Sequence, residues 1–265
     1  MYYKTIKHPS SKEWIVLFHG FGGNGTIFYK QLKAYRSNYN LLLLDLPGHG
    51  KSPLPQGVDL MEYSAQKTIA ILEELKICSA HFIGLSLGTI VMQEVALLNP
   101  KKIKSMILGG ATPKLKKWGE LLCRTSMLYP VRTLLPHMVP YKIFARVLLP
   151  KSNHADSRKA FIQEAYKLSK ETYIKWIIDG VYKKTAFYKL NQHENNIPKL
   201  YISGSEDHMF LQNTIDYATK ESNARMEIIP NCGHVCNIEE SSKFNDLSLS
   251  FMEEVNEQKH SRQVV

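Results

Sequence analysis

The stretch Gly84-Leu85-Ser86-Leu87-Gly88 decides the fold, because it places a serine between two glycines at a predicted change from strand to helix. The preceding residues, Ala80-His81-Phe82-Ile83, form an apolar run that is typical of a short buried strand. Residues 87–98 have the apolar spacing of a helix. A turn this tight leaves no room for side chains two residues before and two after the serine, so glycine serves at both positions. The stretch therefore predicts a turn that presents the Ser86 hydroxyl as a nucleophile.

Apolar runs and helical patterns alternate over residues 1–112 and 196–265, which we interpret as one core domain. Its further predicted strands are residues 14–18, 41–44, 105–108, 200–203 and 226–229. Apolar strands separated by helices predict an α/β fold, with a mostly parallel, twisted sheet covered by helices on both faces. Residues 2–7 are expected to pair as an edge strand with residues 14–18, and the polar tail from residue 256 is expected to fray.

Residues 113–195 lack this alternation and are predicted to form a helical cap inserted in the core domain. Helical patterns occur at residues 155–169 and 171–190, and several prolines interrupt the segment. Because the segment follows the strand that ends near Leu108, we expect it over the carboxyl ends of the strands, where open α/β sheets bind ligands.

The excess positive charge of the chain is concentrated in the predicted cap. Residues 113–198 contain 16 Lys and Arg against 6 Asp and Glu, and the rest of the chain contains 18 of each kind. These basic residues are either a solvated outer face or, since large apolar residues lie among them, a surface for peripheral contact with an anionic membrane or lipid. No groove-reading motif accompanies the charge, so we do not expect nucleic acid as a partner.

The composition of the 265-residue chain is that of an ordinary globular protein, and it indicates no particular oligomeric state. No run approaches the ~18 apolar residues of a membrane span, and residues 1–7 lack the apolar segment of a signal peptide, so we expect a cytoplasmic protein. The four cysteines form no disulfide framework. Cys232 and Cys236 flank His234, but without a fourth ligand they are more typical of packing residues, and we expect no metal and no other cofactor.

A nucleophilic serine needs a base that accepts its proton and an acid that orients the base. His234 follows the last predicted strand and Asp207 follows the strand before it, at the sheet edge expected for Ser86. The order serine, acid, histidine is the one expected when a G-x-S-x-G turn carries the nucleophile. Glu206 is adjacent to Asp207 and is an alternative acid that would assist or replace it.

Two further motifs follow predicted strands. His19-Gly20-Phe21-Gly22 comes after residues 14–18, and Asp45-Leu46-Pro47-Gly48-His49-Gly50-Lys51-Ser52 comes after residues 41–44. Together with the Ser86 turn, Asp207 and His234, these motifs resemble the α/β-hydrolase-fold serine hydrolases over nearly the whole core domain. The resemblance is specifically to small bacterial cap-bearing esterases and lipase-like proteins.

The resemblance implies acyl transfer through a Ser86 acyl-enzyme, with His234 as base and Asp207 as orienting acid. It also implies that two backbone N–H groups, those of Phe21 and Leu87, form the oxyanion hole.

Other residues of these motifs are expected to shape the loops rather than to react. The loop-shaping residues are His19, Gly20, Gly22, Gly84 and Gly88. His19 would hold the oxyanion loop through hydrogen bonds. We expect neither His49 nor His208 to contact the substrate.

The most direct functional hypothesis is a carboxylesterase that cleaves small to medium acyl esters, so the expected partner is a small-molecule acyl ester. A C–C bond hydrolase of ring-fission products, a thioesterase and a lactonase use a similar core and are alternatives. Ser86 argues against epoxide hydrolases and haloalkane dehalogenases of this fold, because those enzymes use a carboxylate nucleophile. A non-catalytic binding module on the same fold is a further alternative, although such proteins typically lose a triad member.

Overall fold

A seven-stranded sheet forms the centre of the computed structural model, which describes residues 1–182 and 196–263. Its strands are β1 (Tyr3–Ile6), β2 (Trp14–Phe18), β3 (Asn40–Leu44), β4 (Ala80–Leu85), β5 (Ile103–Gly109), β6 (Lys199–Gly204) and β7 (Ala224–Ile229). The spatial order is β1-β3-β2-β4-β5-β6-β7. Neighbouring strands are parallel except β1 and β3, which are antiparallel. The predicted α/β fold with a mostly parallel sheet is confirmed.

The prediction that the first strand pairs with residues 14–18 is wrong. β1 pairs with β3 instead, with Tyr3 opposite Leu44 and Ile6 opposite Leu41. Both edges of β2 are occupied by its parallel neighbours β3 and β4. β1 contains no fully buried residue, whereas β2 is almost entirely buried. The half-exposed strand therefore fits the edge of the sheet, and the apolar strand fits its centre.

The helices of the described ranges separate the strands as the alternation predicts. They are α1 (Tyr29–Tyr35), α2 (Leu60–Glu74), α3 (Leu87–Leu98), α4 (Lys117–Ser126), α5 (Tyr129–Leu134), α6 (Met138–Leu148), α7 (Ala155–Ala165), α8 (Lys170–Ile177), α9 (Leu211–Ala218), α10 (Cys236–Glu239) and α11 (Ser241–Gln263). Short 3-10 turns occur at Gly25–Phe28, Pro100–Lys102 and Ser152–His154, and a π-helical turn follows α8 at Ile178–Tyr182.

Side chains on the two faces of the sheet pack against different helices, as the period of two along a strand requires. Val16 and Phe18 point into a core that includes side chains of α2 and α3. Ile15 and Leu17 point into a second core, which α1 and α11 cover. Helices therefore cover both faces, and the carboxyl ends of the parallel strands remain the edge at which loops can form a site.

The segment between β5 and β6 is helical where the structure describes it. The helix predicted at residues 155–169 corresponds to α7, which ends at Ala165. The helix predicted at residues 171–190 begins as α8 and continues into the π-helical turn, and its residues 183–190 lie outside the described residues. One apolar cluster joins α6, α7 and α8 to each other, and another joins α6 to the loop after β6.

The last helix is longer than its polar composition predicts. α11 continues to Gln263, although the sequence predicts fraying from residue 256. Val255 is buried, and the side chain of Asn256 hydrogen-bonds the buried ring of His81 at 3.1 Å. These contacts hold the helix to the sheet as far as residue 256. Within the two described ranges, no helix is both long and apolar enough to cross a membrane.

Candidate active site

Ser86 lies at a sharp turn between β4 and α3. Its backbone angles, φ 49° and ψ −114°, are strained for a residue that is not glycine. A Cβ atom on Gly84 would lie 2.8 Å from backbone atoms of Gly88, and one on Gly88 would lie 2.3 Å from the carbonyl oxygen of Phe18. Both distances are too short for carbon contacts, so the turn requires glycine at both positions, as the sequence predicts.

Three parallel strands bring distant residues to the same edge of the sheet. Ser86 follows β4, Asp207 follows β6, and His234 follows β7. Leu87 is the first residue of α3, so its backbone N–H has no acceptor within the helix. The carboxyl ends of these strands thus place a hydroxyl, a carboxylate, an imidazole and a backbone donor along one edge of the sheet.

Ser86, His234 and Asp207 form one chain of hydrogen bonds. The Ser86 hydroxyl lies 2.9 Å from Nε2 of His234, and Nδ1 of His234 lies 2.7 Å from Oδ2 of Asp207. A carboxylate can only accept, so Nδ1 carries the proton and Nε2 is left to accept from the serine. Asp207 is fully buried, and its other oxygen accepts from the backbone N–H of Phe210. This arrangement can remove a proton from Ser86 and stabilise the imidazolium that forms.

Glu206, the alternative acid, has different partners. Its carboxylate accepts hydrogen bonds from Asn153 at 3.0 Å, Lys151 at 2.6 Å and His154 at 2.8 Å. The hydrogen bonds from Asn153 and then Lys151 lower the pKa of Glu206 to about 2. Glu206 therefore ties the loop after β6 to the segment between β5 and β6, and the carboxylate that contacts the imidazole is that of Asp207.

Glu239 holds the loop that carries His234, a role that no pattern in the sequence indicates. Its carboxylate accepts from the backbone N–H of Gly233 at 2.7 Å and from that of Val235 at 3.1 Å, the residues on either side of His234. The fully buried ring of His154 lies between Glu239, at 3.6 Å, and Glu206. His154 thus connects the segment between β5 and β6 to both loops of the hydrogen-bond chain.

The loop after β2 lies directly against Ser86. A Cβ atom on Gly20 would be 3.3 Å from Cβ of Ser86. Gly22 has a positive φ of 82°, and a Cβ atom there would lie 2.3 Å from the hydroxyl of Tyr141. That hydroxyl donates to the carbonyl of Phe21 at 3.1 Å. Helix α6 therefore fixes the loop that carries the Phe21 backbone N–H.

Two buried histidines join this loop to the loop after β3. His19 accepts from the backbone N–H of Leu46 at 2.9 Å and donates through Nδ1 to the carbonyl of Gly20 at 2.8 Å. His49 accepts from the backbone N–H of Gly22 at 3.1 Å. Burial lowers the pKa of His19 to about 4 and lowers that of His49 well below its usual value. Both rings are therefore neutral near pH 7, and a neutral ring is required for Nε2 to accept a hydrogen bond. No pattern in the sequence indicates that His49 binds the loop after β2.

A cavity of about 410 Å³ adjoins Ser86. Its walls are mainly apolar and come from the core, the loop after β2 and the helices between β5 and β6. They include Phe21, Leu87, Leu122, Phe144, Trp176 and Phe210. Lys114 and Glu120 are the only charged residues in the described lining. A smaller cavity of about 40 Å³ contacts both Ser86 and His234.

Cys232, Cys236 and His208 pack close to the site. Both thiols are buried, and burial is the main cause that raises their pKa, that of Cys236 to about 12. Such thiols are poor nucleophiles and poor metal ligands. His208 stacks on Trp118 of α4 with the ring centroids 6.3 Å apart. Among residues 1–182 and 196–263, no three His, Cys, Asp or Glu side chains are placed to hold a metal ion.

Comparison with known proteins agrees with this architecture. Residues 13–241 match the family described as alpha/beta hydrolase fold. The chain belongs to this family. It is 37% identical over 100 residues to a pimeloyl-[acyl-carrier protein] methyl ester esterase of Aeromonas hydrophila, a match that spans 37% of this chain and only 38% of that relative.

Two solved structures illustrate how much of the fold is shared. An esterase from Exiguobacterium antarcticum superposes with a TM-score of 0.78 at 18% identity, with 95% of each chain covered. The enol-lactonase from Burkholderia xenovorans gives a TM-score of 0.74 at 20% identity, with 95% of this chain and 96% of that one covered. At these identities the similarity establishes the common fold.

Proposed function

We propose that this protein is a serine hydrolase, and that it acts as a carboxylesterase on small to medium acyl esters. The observation that carries the proposal is the hydrogen-bond chain from Ser86 through His234 to the buried Asp207, next to a mainly apolar cavity. The similarity to an esterase that acts on a methyl ester supports the same class of reaction.

The reaction would proceed in two steps through an acyl-enzyme. Ser86 attacks the ester carbonyl while Nε2 of His234 takes its proton, and His234 then returns that proton to the leaving alcohol. In the second step, a water molecule gives a proton to the same nitrogen and attacks the acyl carbonyl. The bond between the acyl carbon and the Ser86 oxygen then breaks, His234 returns the proton to that oxygen, and the carboxylic acid leaves. Asp207 keeps the proton of His234 on Nδ1 and stabilises the positive charge that the ring gains in each step.

The negative charge that develops on the carbonyl oxygen needs donors that are already in place. We assign this role to the backbone N–H groups of Leu87 and Phe21. The N–H of Leu87 points out of the first turn of α3, and the Phe21 loop is held by Tyr141 and by the two buried histidines. Loss of one such donor costs about 100-fold to 1,000-fold in turnover.

The lining of the cavity favours an apolar acyl ester over the alternatives. An enolate or a polycarboxylate substrate buries negative charge, which is costly without cationic partners, and Lys114 is the one basic residue in the described lining. The volume of about 410 Å³ lies at the lower end of small-molecule sites, about 300 to 1,000 Å³. Thioesters and lactones with an apolar acyl part would fit the same walls, so substrate assays must include them.

The test is hydrolysis of 4-nitrophenyl esters of increasing acyl length, with a thioester and a lactone in parallel. We expect turnover to rise with length and then to fall once the chain exceeds the cavity. The Ser86→Ala variant should lose this activity. The Asp207→Asn variant should lose about 10,000-fold in turnover, because it removes the charge and the tautomer control of His234.

Glu206→Gln is the matched control, because it changes the adjacent carboxylate in the same chemical way. Its loss of turnover should be far smaller than that of Asp207→Asn, because Glu206 contacts Lys151, Asn153 and His154 and not the imidazole of His234. Comparable losses in both variants would contradict the assignment of Asp207, and a Ser86→Ala variant with wild-type turnover would contradict the whole mechanism.

A further inference from the structure

Helices α4 to α6 expose an unusual amount of apolar surface to solvent. The side chain of Leu134 is 80% exposed and that of Tyr129 is 73% exposed. Leu121, Leu128, Leu135, Val139 and Ile143 are also exposed. We call this set, with the basic residues between them, the outer face. Large exposed apolar patches mark interaction sites, so this concentration of exposed apolar side chains in one segment makes it a candidate for such a site.

The burial pattern of helices α5 and α6 shows that the exposed apolar residues occupy whole helix faces. On α6, one face is buried against the rest of the protein, namely Met138, Tyr141, Ala145 and Leu148. The opposite face carries apolar and basic residues, namely Val139, Lys142, Ile143 and Arg146. Helix α5 has six residues and buries none of them. Helices this short are unstable in water without packing, so α5 is expected to gain burial from a partner.

The charge of the same segment has a single sign. Residues 113–149 contain seven Lys and Arg and one acidic residue, Glu120. Two of the basic groups lie over exposed aromatic rings: Arg132 lies 5.9 Å from the ring centroid of Tyr129, and Lys142 lies 4.9 Å from that of Tyr166. Cationic groups and exposed apolar side chains thus alternate along residues 113–149.

We propose that the outer face binds an anionic lipid surface. A bilayer supplies a plane of negative headgroups directly above hydrocarbon, so it accepts the basic and the apolar side chains of one helix face together. An acidic protein partner would neutralise the arginines and lysines, but it would need an apolar groove as well to cover Leu134 and its neighbours.

The position of the outer face gives the contact a consequence for catalysis. Helices α4 and α6 line the cavity beside Ser86 with their inner residues, among them Leu122 and Phe144. Lipid contact would therefore bring the cavity close to esters dissolved in the bilayer. This consequence rests on the proposed function, whereas the binding of lipid does not.

The test is co-sedimentation of the full chain with phosphatidylcholine vesicles that contain or lack phosphatidylglycerol, at low and at high NaCl. We expect binding to the phosphatidylglycerol vesicles, weaker binding as salt rises, and little binding to pure phosphatidylcholine. The Ser86→Ala variant should bind as the wild type does, so a failure of the proposed hydrolysis leaves this result unaffected.

Two pairs of variants separate the outer face from the rest of the surface. Arg132→Glu should weaken binding about thirty-fold, because each basic residue near the headgroups contributes about five-fold and the change removes one and adds a repulsive charge. Arg36→Glu makes the same change in net charge on an exposed residue at the end of α1 and should leave binding nearly unchanged. Leu134→Ser should weaken binding about ten-fold, whereas Leu98→Ser, at an exposed leucine of α3, should not.

Melting temperatures of all four variants show whether each one is folded. The proposal requires that Arg132→Glu and Leu134→Ser bind anionic vesicles more weakly than the wild type while melting at the same temperature. Equal binding to neutral and anionic vesicles, absence of binding to either, or equal effects of the control variants would overturn it. Binding to polyglutamate without binding to vesicles would also overturn it, in favour of an acidic protein partner.

Discussion

The variant Glu239→Gln tests how the loop that carries His234 is positioned. The carboxylate of Glu239 accepts from the backbone N–H groups of Gly233 and Val235, one with each oxygen, at 2.7 Å and 3.1 Å. Glutamine has nearly the same shape but only one oxygen, so its NH2 group must face one of these N–H donors. The change therefore removes an acceptor beside His234 without removing volume.

The size of the effect follows from these two contacts. A donor left unsatisfied away from water costs about 1 to 3 kcal/mol, and the surviving hydrogen bond loses the extra strength of a charged acceptor. We expect a loss of about 2 to 4 kcal/mol in the free energy of unfolding. His234 no longer has a fixed distance to Ser86, and a misplacement of about 1 Å can cost about 100-fold in turnover.

Steady-state kinetics with a soluble 4-nitrophenyl ester and denaturant unfolding measure the two effects separately. The expected result is a kcat about 100-fold below wild type with a nearly unchanged KM, measured well below the thermal transition. Glu240→Gln changes the exposed neighbour and should leave both quantities near wild type. A Glu239→Gln enzyme that is less stable but keeps the wild-type kcat would refute this role and leave Glu239 a purely structural residue.

Three further outcomes follow from the buried groups around the site. Tyr141→Phe removes the hydrogen bond to the Phe21 carbonyl, so kcat for ester hydrolysis should fall about ten-fold while Kd for a non-reactive product acid changes little. Burial lowers the pKa of His19 from 6.5 to about 4, so as the pH falls the unfolded state binds a proton before the folded state does. The free energy of unfolding should therefore fall by about 3 kcal/mol between pH 6.5 and pH 4. Denaturant titrations at several pH values measure this fall, and a free energy of unfolding that stays constant over that range would contradict the prediction. Iodoacetamide at neutral pH should modify the exposed Cys78 before the three buried cysteines and without loss of activity, as read by mass spectrometry.

The sequence predicted those parts of the molecule that local chemistry determines. Two glycines at fixed distances from Ser86 indicate the turn, because any larger residue at these positions would clash with the backbone of Phe18 or with the backbone of the turn itself. The parallel sheet then explains why His234, far from both residues in the chain, lies within hydrogen-bond distance of Asp207 on one side and of Ser86 on the other.

Features that depend on contacts between distant segments had no such signal. β1 joins β3 rather than β2 because of competition for sheet edges, which a strand's own residues do not reveal. Glu239, His154 and His49 act on backbone groups and carboxylates that only the folded chain brings near them. The volume and lining of the cavity likewise depend on how α4, α6 and α8 pack, which no spacing rule supplies.

The nucleophile can be identified directly if the adduct of a fluorophosphonate probe is located by mass spectrometry. We expect one covalent adduct on Ser86, formed by the folded wild-type enzyme and absent from the Ser86→Ala variant and from denatured protein. The adduct should abolish ester hydrolysis in proportion to labelling. An adduct on another residue, or full labelling of Ser86→Ala, would contradict the assignment of Ser86 as the nucleophile.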